Sequence, residues 1–222
     1  MFYDRLVAEV QSDREAFLAL PVIQAGIRGE FTKEAYIGYL SEAFHHVRHT
    51  VPLIEMVRIR IAPSRRVLLD ALSNFSLERR GYENWILQDI KNSGGDADKV
   101  QNDEPSEATE ELLAYMYDQI TRHDPIGIFG MLYIVEITGS KLARQTVKQF
   151  MANLGLPKKC FSYLLTHSSE DMDNPDFFET LMTQITDPDE QDTIVRVAKH
   201  VYGLYGNIFV SIGERAGIPN KA

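Results

Sequence analysis

The chain has 222 residues, 44% of them hydrophobic and 25% charged, enough for a substantial core in one large domain or two small ones. A net charge of −9 argues against nucleic acid, whose duplex is bound through basic patches that release counterions. A single cysteine, Cys160, forms no internal disulfide, no apolar run approaches the roughly 20 residues of a membrane span, and the N-terminus lacks a signal-peptide core, so a cytoplasmic protein with no membrane partner is expected.

The punctuation predicts about seven helical stretches. The first runs from near Phe2 to Leu20, before Pro21. The second starts at Thr32, a good N-cap, and continues towards Ile61 with a kink at Pro52. A third begins at Ser64 and reaches the break at Ser93-Gly-Gly. Residues 96–105 read as a polar loop, after which Ser106 caps a shorter helix. Asp124-Pro125 opens a central helix that reaches Asn153. A sixth stretch covers Lys158 to Ile185, interrupted near Asn174-Pro175. Asp187-Pro-Asp-Glu190 then resembles a capping box that starts the last helix. Strand signals are weak, and the reading is one all-α domain over residues 1–222.

Glu136 lies inside Ile126–Ile137, where the other residues are apolar, glycine or Tyr133. A carboxylate there loses its water and must gain a metal, a cation, a proton or several donors. Tyr133, three residues earlier on the same helix, is placed to bond it, or both are structural. His167 and Asp171 stand at i and i+4, a weak signal alone that gains weight if the fold brings it to Glu136. Earlier, Glu42, His45, His46 and His49 recur at spacings that share a helix face. Carboxylate plus imidazole suits iron binding or proton shuttling, whereas the plainer alternative is a polar face with histidines in water. Tyr82 and Tyr205 belong to a set of tyrosines that either fill the core or orient a substrate. Phosphate-cradling glycine loops, dinucleotide fingerprints, Gly-x-Ser-x-Gly and zinc spacings are missing.

Tyr39-Leu40-x-Glu42-x-Phe-His-His-Val, Tyr133-x-x-Glu136-x-x-Gly139 and His167-x-x-x-Asp171, in that order over nearly the whole chain, resemble the haem-oxygenase-like superfamily. The branch that looks closest holds thiaminase-II (TenA), pyrroloquinoline quinone synthase and the CADD-like non-haem di-iron oxidases. The resemblance implies a seven-helix bundle around a central pocket, commonly a homodimer. It also implies ligand roles for Glu136, His167 and Asp171, while Tyr82, Asn174 and a position near Phe75 stand where the di-iron oxidases carry further ligands. What survives suits a mononuclear iron or an incomplete di-iron site. No haem is expected, because residues 1–20 contain no histidine. The thiaminase-II cysteine position falls at Gly127 or Gly130, and Glu42 matches that family's substrate-gripping acid.

The leading expectation is therefore an oxygen-using small-molecule oxidoreductase. Glu136, His167 and Asp171 would hold iron, or His167, Tyr133 and His49 would do acid–base work without it. Glu42, His45, His46, Tyr82 and Tyr205 would face the substrate. The alternatives are a thiaminase-II-like hydrolase or lyase, and a non-catalytic binding protein that kept the bundle.

Overall fold

A computed structural model describes residues 1–168 and 175–218. The stretch read as one N-terminal helix is two, α1 (Phe2–Glu9) and α2 (Gln11–Leu18), joined at the buried Val10. Pro21 starts a helix as well as ending one: it takes the first position of α3 (Pro21–Arg28), where no N–H bond is needed. Thr32 caps α4 (Lys33–Val47), its hydroxyl accepting from Ala35 N at 3.1 Å.

The disruption expected at Pro52 falls four residues earlier. The helix ends at Arg48 and restarts as α5 (Thr50–Arg58), which keeps the proline ring clear of the carbonyl it would otherwise crowd. The third stretch divides into α6 (Arg66–Arg79) and α7 (Tyr82–Asn92). Between them Gly81 takes φ +87°, a left-handed turn that a side chain would strain. The polar stretch expected to be a loop contains a short helix, α8 (Ala97–Asn102), capped by Asp96. Ser106 caps α9 (Glu107–Arg122) as expected.

Asp124 accepts from Ile126 N at 2.9 Å and opens the central rod. The rod begins with a 3₁₀ turn (Pro125–Gly127) and α10 (Ile128–Tyr133), then passes through a π-helical turn (Ile134–Gly139) into α11 (Ser140–Asn153). By length and composition this rod is apolar enough to cross a membrane, which the sequence reading did not anticipate. Yet 78% of its most apolar window is buried inside the protein. After a 3₁₀ turn (Lys158–Cys160) come α12 (Ser162–His167), α13 (Pro175–Met182) and α14 (Pro188–Arg215). Asp187 caps α14, but Glu190 pairs with Arg65 where a capping box would have turned it back.

Among the described residues there are helices and no strand. Helix α14 packs along α10, α9 and α4, while α11 packs on α3 and α12. Helices α10 and α14 come close at Gly130, where a Cβ would lie 2.6 Å from Ile194 O and 2.8 Å from Ala198 N. Burial of Leu6, Leu40, Ile54, Leu72, Ile86 and Phe129 makes one continuous core. The architecture is the all-α bundle expected, with several of its rods broken at turns.

Candidate functional site

Between α2, α3, α11, α12 and α14 lies a cavity offering ≈ 70 Å³ to the centres of water-sized molecules, several times the roughly 10–15 Å³ one water needs. Its walls are mainly apolar, with Phe17, Ile23, Phe31, Phe150 and Phe209 prominent. Tyr39, Tyr163, Tyr205 and Thr138 bring hydroxyl groups to it, and His167 brings an imidazole. The composition suits an apolar or aromatic molecule held at one end by a few polar atoms.

The π turn positions the acid beside this cavity. It carries an extra residue in the turn, a local departure that often marks functional segments of helices. Ile134, Val135, Thr138 and Gly139 line the cavity, while Glu136 in the same turn, 6% exposed, reaches α6. There it forms an ion pair with Arg79, itself 3% exposed. Arg79 also donates from Nη1 to Phe75 O at 3.0 Å, and its guanidinium carbon lies 5.0 Å from the centre of the Phe75 ring. Arg79 went unnoticed in the sequence because Glu78-Arg-Arg80 reads as a solvated charge run. Only its place at the inner end of α6 buries it.

His167 is the other half of the cluster. Its ring meets Tyr82 edge-on at 5.5 Å and Tyr163 at 4.6 Å. Burial, with the positive charge of Arg79 and the ring of His46 adding to it, pushes the imidazole down to about 3, so it rests neutral. Tyr82 in turn is pushed up by burial and feels the charges of both Arg79 and Glu136. Helix α12 is held by Asp89, a buried carboxylate on α7 that accepts from Ser162 N at 3.1 Å and Tyr163 N at 2.8 Å. Burial raises the Asp89 carboxyl against the pull of those two donors. Asp89 also escaped the sequence reading, since nothing local marks a long-range helix cap.

His46 and Tyr205 form a second pair at the cavity edge. The Tyr205 hydroxyl and His46 Nε2 are 3.2 Å apart, and Tyr205 borders both the main cavity and a smaller one beside His46. Burial drives His46 down to about 4, against the opposing pull of Glu42.

Other candidates lie elsewhere. Glu42 serves as an internal tie: it accepts from Thr109 Oγ1 at 2.6 Å, Ser106 Oγ at 2.9 Å and Arg215 Nη2 at 2.6 Å. Burial alone would raise its carboxyl, and these bonds outweigh burial and hold it low. His49 Nδ1 bonds the Tyr117 hydroxyl at 2.8 Å on the α9 side. His45 is buried against Phe44, with an Nδ1 that has no partner among the described residues. Tyr133 packs between Tyr3 and Phe178, and burial pushes its phenol up to about 12. None of these four borders the main cavity. Sharing a helix face with a site residue did not suffice, because α9, α1 and α13 cover those parts of the faces.

Asp171, expected as the third ligand, lies outside the described residues, as does Asn174. Among the described residues no three His, Cys, Asp or Glu side chains converge as a metal would require. Glu136 is already neutralised by a guanidinium, and a dication set beside it would be repelled by that buried charge. The described donors therefore do not fit iron as they stand. A thiaminase-II nucleophile is excluded at Gly130, because the α14 backbone fills the space of its Cβ. Cys160 is fully buried beneath Tyr36, whose hydroxyl donates to its carbonyl at 2.7 Å.

Residues 37–206 match the family described as "Iron-containing redox enzyme" with a haem-oxygenase label. No curated protein matches the chain by sequence. Among solved structures, a domain of unknown function with a haem-oxygenase-like fold from Shewanella denitrificans is 22% identical, with a TM-score of 0.83 over 99% of this chain and 97% of that one. A TenA homologue from Pseudomonas syringae pv. tomato is 8% identical, with a TM-score of 0.81 over 96% and 93%. A CADD-like protein of unknown function from Nostoc punctiforme is 17% identical, with a TM-score of 0.74 over 98% and 97%.

Proposed function

Because the chain belongs to the haem-oxygenase-like family of iron-containing redox enzymes, we propose that it is an oxygen-using oxidoreductase acting on an apolar small molecule bound beside His167. The observation that carries this reading is the neutral, buried His167 imidazole in the wall of an apolar cavity, with the positive charge of Arg79 acting on it. Apolar walls admit oxygen and an apolar substrate together and keep bulk water out.

The chemistry is the two-electron oxidation of a substrate bearing an acidic C–H or O–H bond. His167 takes the first proton. The anion so formed faces an imidazolium, with the Arg79 charge close by. That pairing matters, since an imidazole held near 3 is a poor base until an anion appears beside it. Two electrons pass from the anion to oxygen. The His167 proton and a second substrate proton complete hydrogen peroxide, leaving the dehydrogenated product and a neutral histidine. Tyr205, bonded to His46 at the cavity edge, orients the substrate.

The family description favours a second reading, in which iron is required. One experiment separates the two. Native mass spectrometry of the purified protein identifies the cavity occupant, and oxygen uptake is then followed with that compound. The first reading expects one peroxide per oxygen, loss of uptake by at least about tenfold in His167→Ala, and no effect of a chelator. Uptake abolished by the chelator and restored by ferrous iron establishes the second. A retained compound that is never altered leaves a binding protein and sinks both.

A further inference from the structure

We propose that Arg79 is a resident cation that takes the place of a divalent metal beside Glu136 and His167, and that exchanging its charge for a carboxylate turns this cluster into a metal site. The inference rests on the functional reading only in using the same cluster.

Three observations carry it. The guanidinium and the Glu136 carboxylate are both buried and form an ion pair, so the acid in the π turn already has its counter-charge. A guanidinium buried for structure alone is expected to find acceptors for its donors. Here Nη1 is engaged by Phe75 O and, at 3.5 Å, by Glu78 Oε2, and Nη2 by Glu136, but Nε has no acceptor among the described residues. Finally, the His167 ring packs on Tyr82, 5.5 Å between ring centres and three residues along from Arg79, and the Arg79 charge acts on that imidazole. A buried carboxylate facing a buried positive centre, with an imidazole on the neighbouring helix, is the electrostatic pattern of a metal site, with the positive charge supplied by the protein.

Arg79→Glu exchanges the cation for a second carboxylate beside Glu136, with His167 as the third donor. Its apo form holds two like charges in a buried site and should melt below the wild type, and metal should reverse that loss.

The test loads wild type and Arg79→Glu with cobalt(II) under nitrogen, desalts them, and reads metal per chain, visible absorbance and melting temperature. Wild type should retain less than about a tenth of a cobalt per chain. The variant should retain about one, with ligand-field bands and a rise in melting temperature on cobalt addition, all lost when Glu136→Gln is added. Stoichiometric cobalt in wild type that disappears in Glu136→Gln overturns the proposal, and so does a folded Arg79→Glu that takes up none. Should Arg79→Glu not fold without metal, Arg79→Gln removes the charge and keeps most of the length. It should bind cobalt at least about tenfold more tightly than wild type, and equal affinity overturns the proposal. These readouts need no substrate. A failure of chelator-insensitive oxygen uptake would count against the oxidase and leave the metal counts standing.

Discussion

Glu42 and Glu136 are both buried acids, 3% and 6% exposed, and their partners distinguish them. Glu42 joins α4 to the start of α9 and the end of α14 through hydroxyls and the half-exposed Arg215. Glu42→Ala should lower unfolding free energy by about 2–3 kcal/mol, since it strips an acceptor from buried donors, and leave capture of the cavity ligand unchanged. Urea titration and ligand binding check both halves. His46 gives a pH signature. An unfolded histidine binds its proton near 6.5, and His46 in the fold does so only near 4. The unfolded chain thus holds more protons between those values. The stability in question is present above pH 6.5 and drains away as pH falls towards 4. By pH 5 it amounts to roughly 2 kcal/mol. The groups facing His46 are the Tyr205 hydroxyl, Glu42, His45 and His49. In His46→Gln the loss of stability between pH 7 and pH 5 should shrink by about that amount, and an unchanged loss would refute the assignment.

At the scale of elements, the contact between α10 and α14 depends on glycine. Gly130→Ala places a methyl against the Ile194 carbonyl and the Ala198 amide, both backbone atoms that cannot rotate away. The helices must part, at a cost of about 1–3 kcal/mol, visible as a lower melting temperature. Several helix starts were readable locally, because Thr32, Ser106, Asp124 and Asp187 cap with their own side chains. The breaks at Val10 and Arg80–Gly81 were not, since each rod bends there to follow the core. The π turn was equally hidden, as no residue in Ile134–Gly139 prescribes an extra residue in a turn.

Taken whole, the molecule is a helical shell around an apolar cavity that a substitution can fill. Gly139 borders the cavity, and a Cβ built there meets only Ile134 O, at 3.6 Å. Gly139→Leu should keep the fold, as judged by circular dichroism, and lower affinity for an apolar cavity ligand by at least about tenfold. Unchanged binding would place the ligand elsewhere.

The helical class, the buried central rod and the burial of Glu136 were legible in the chain, because helical periodicity and a carboxylate in an apolar run are local facts. Which residues meet was not. Arg79 carries no local mark of burial and lies buried against Glu136, while Glu42, expected to face the substrate, ties three helices. A side chain's partner is set by how helices distant in sequence cross, and no local pattern encodes that crossing. The sequence determined a bundle with an acid and an imidazole inside it; the tertiary structure decided that the charge facing that acid is an arginine, because only the fold carries the end of α6 within side-chain reach of the central rod.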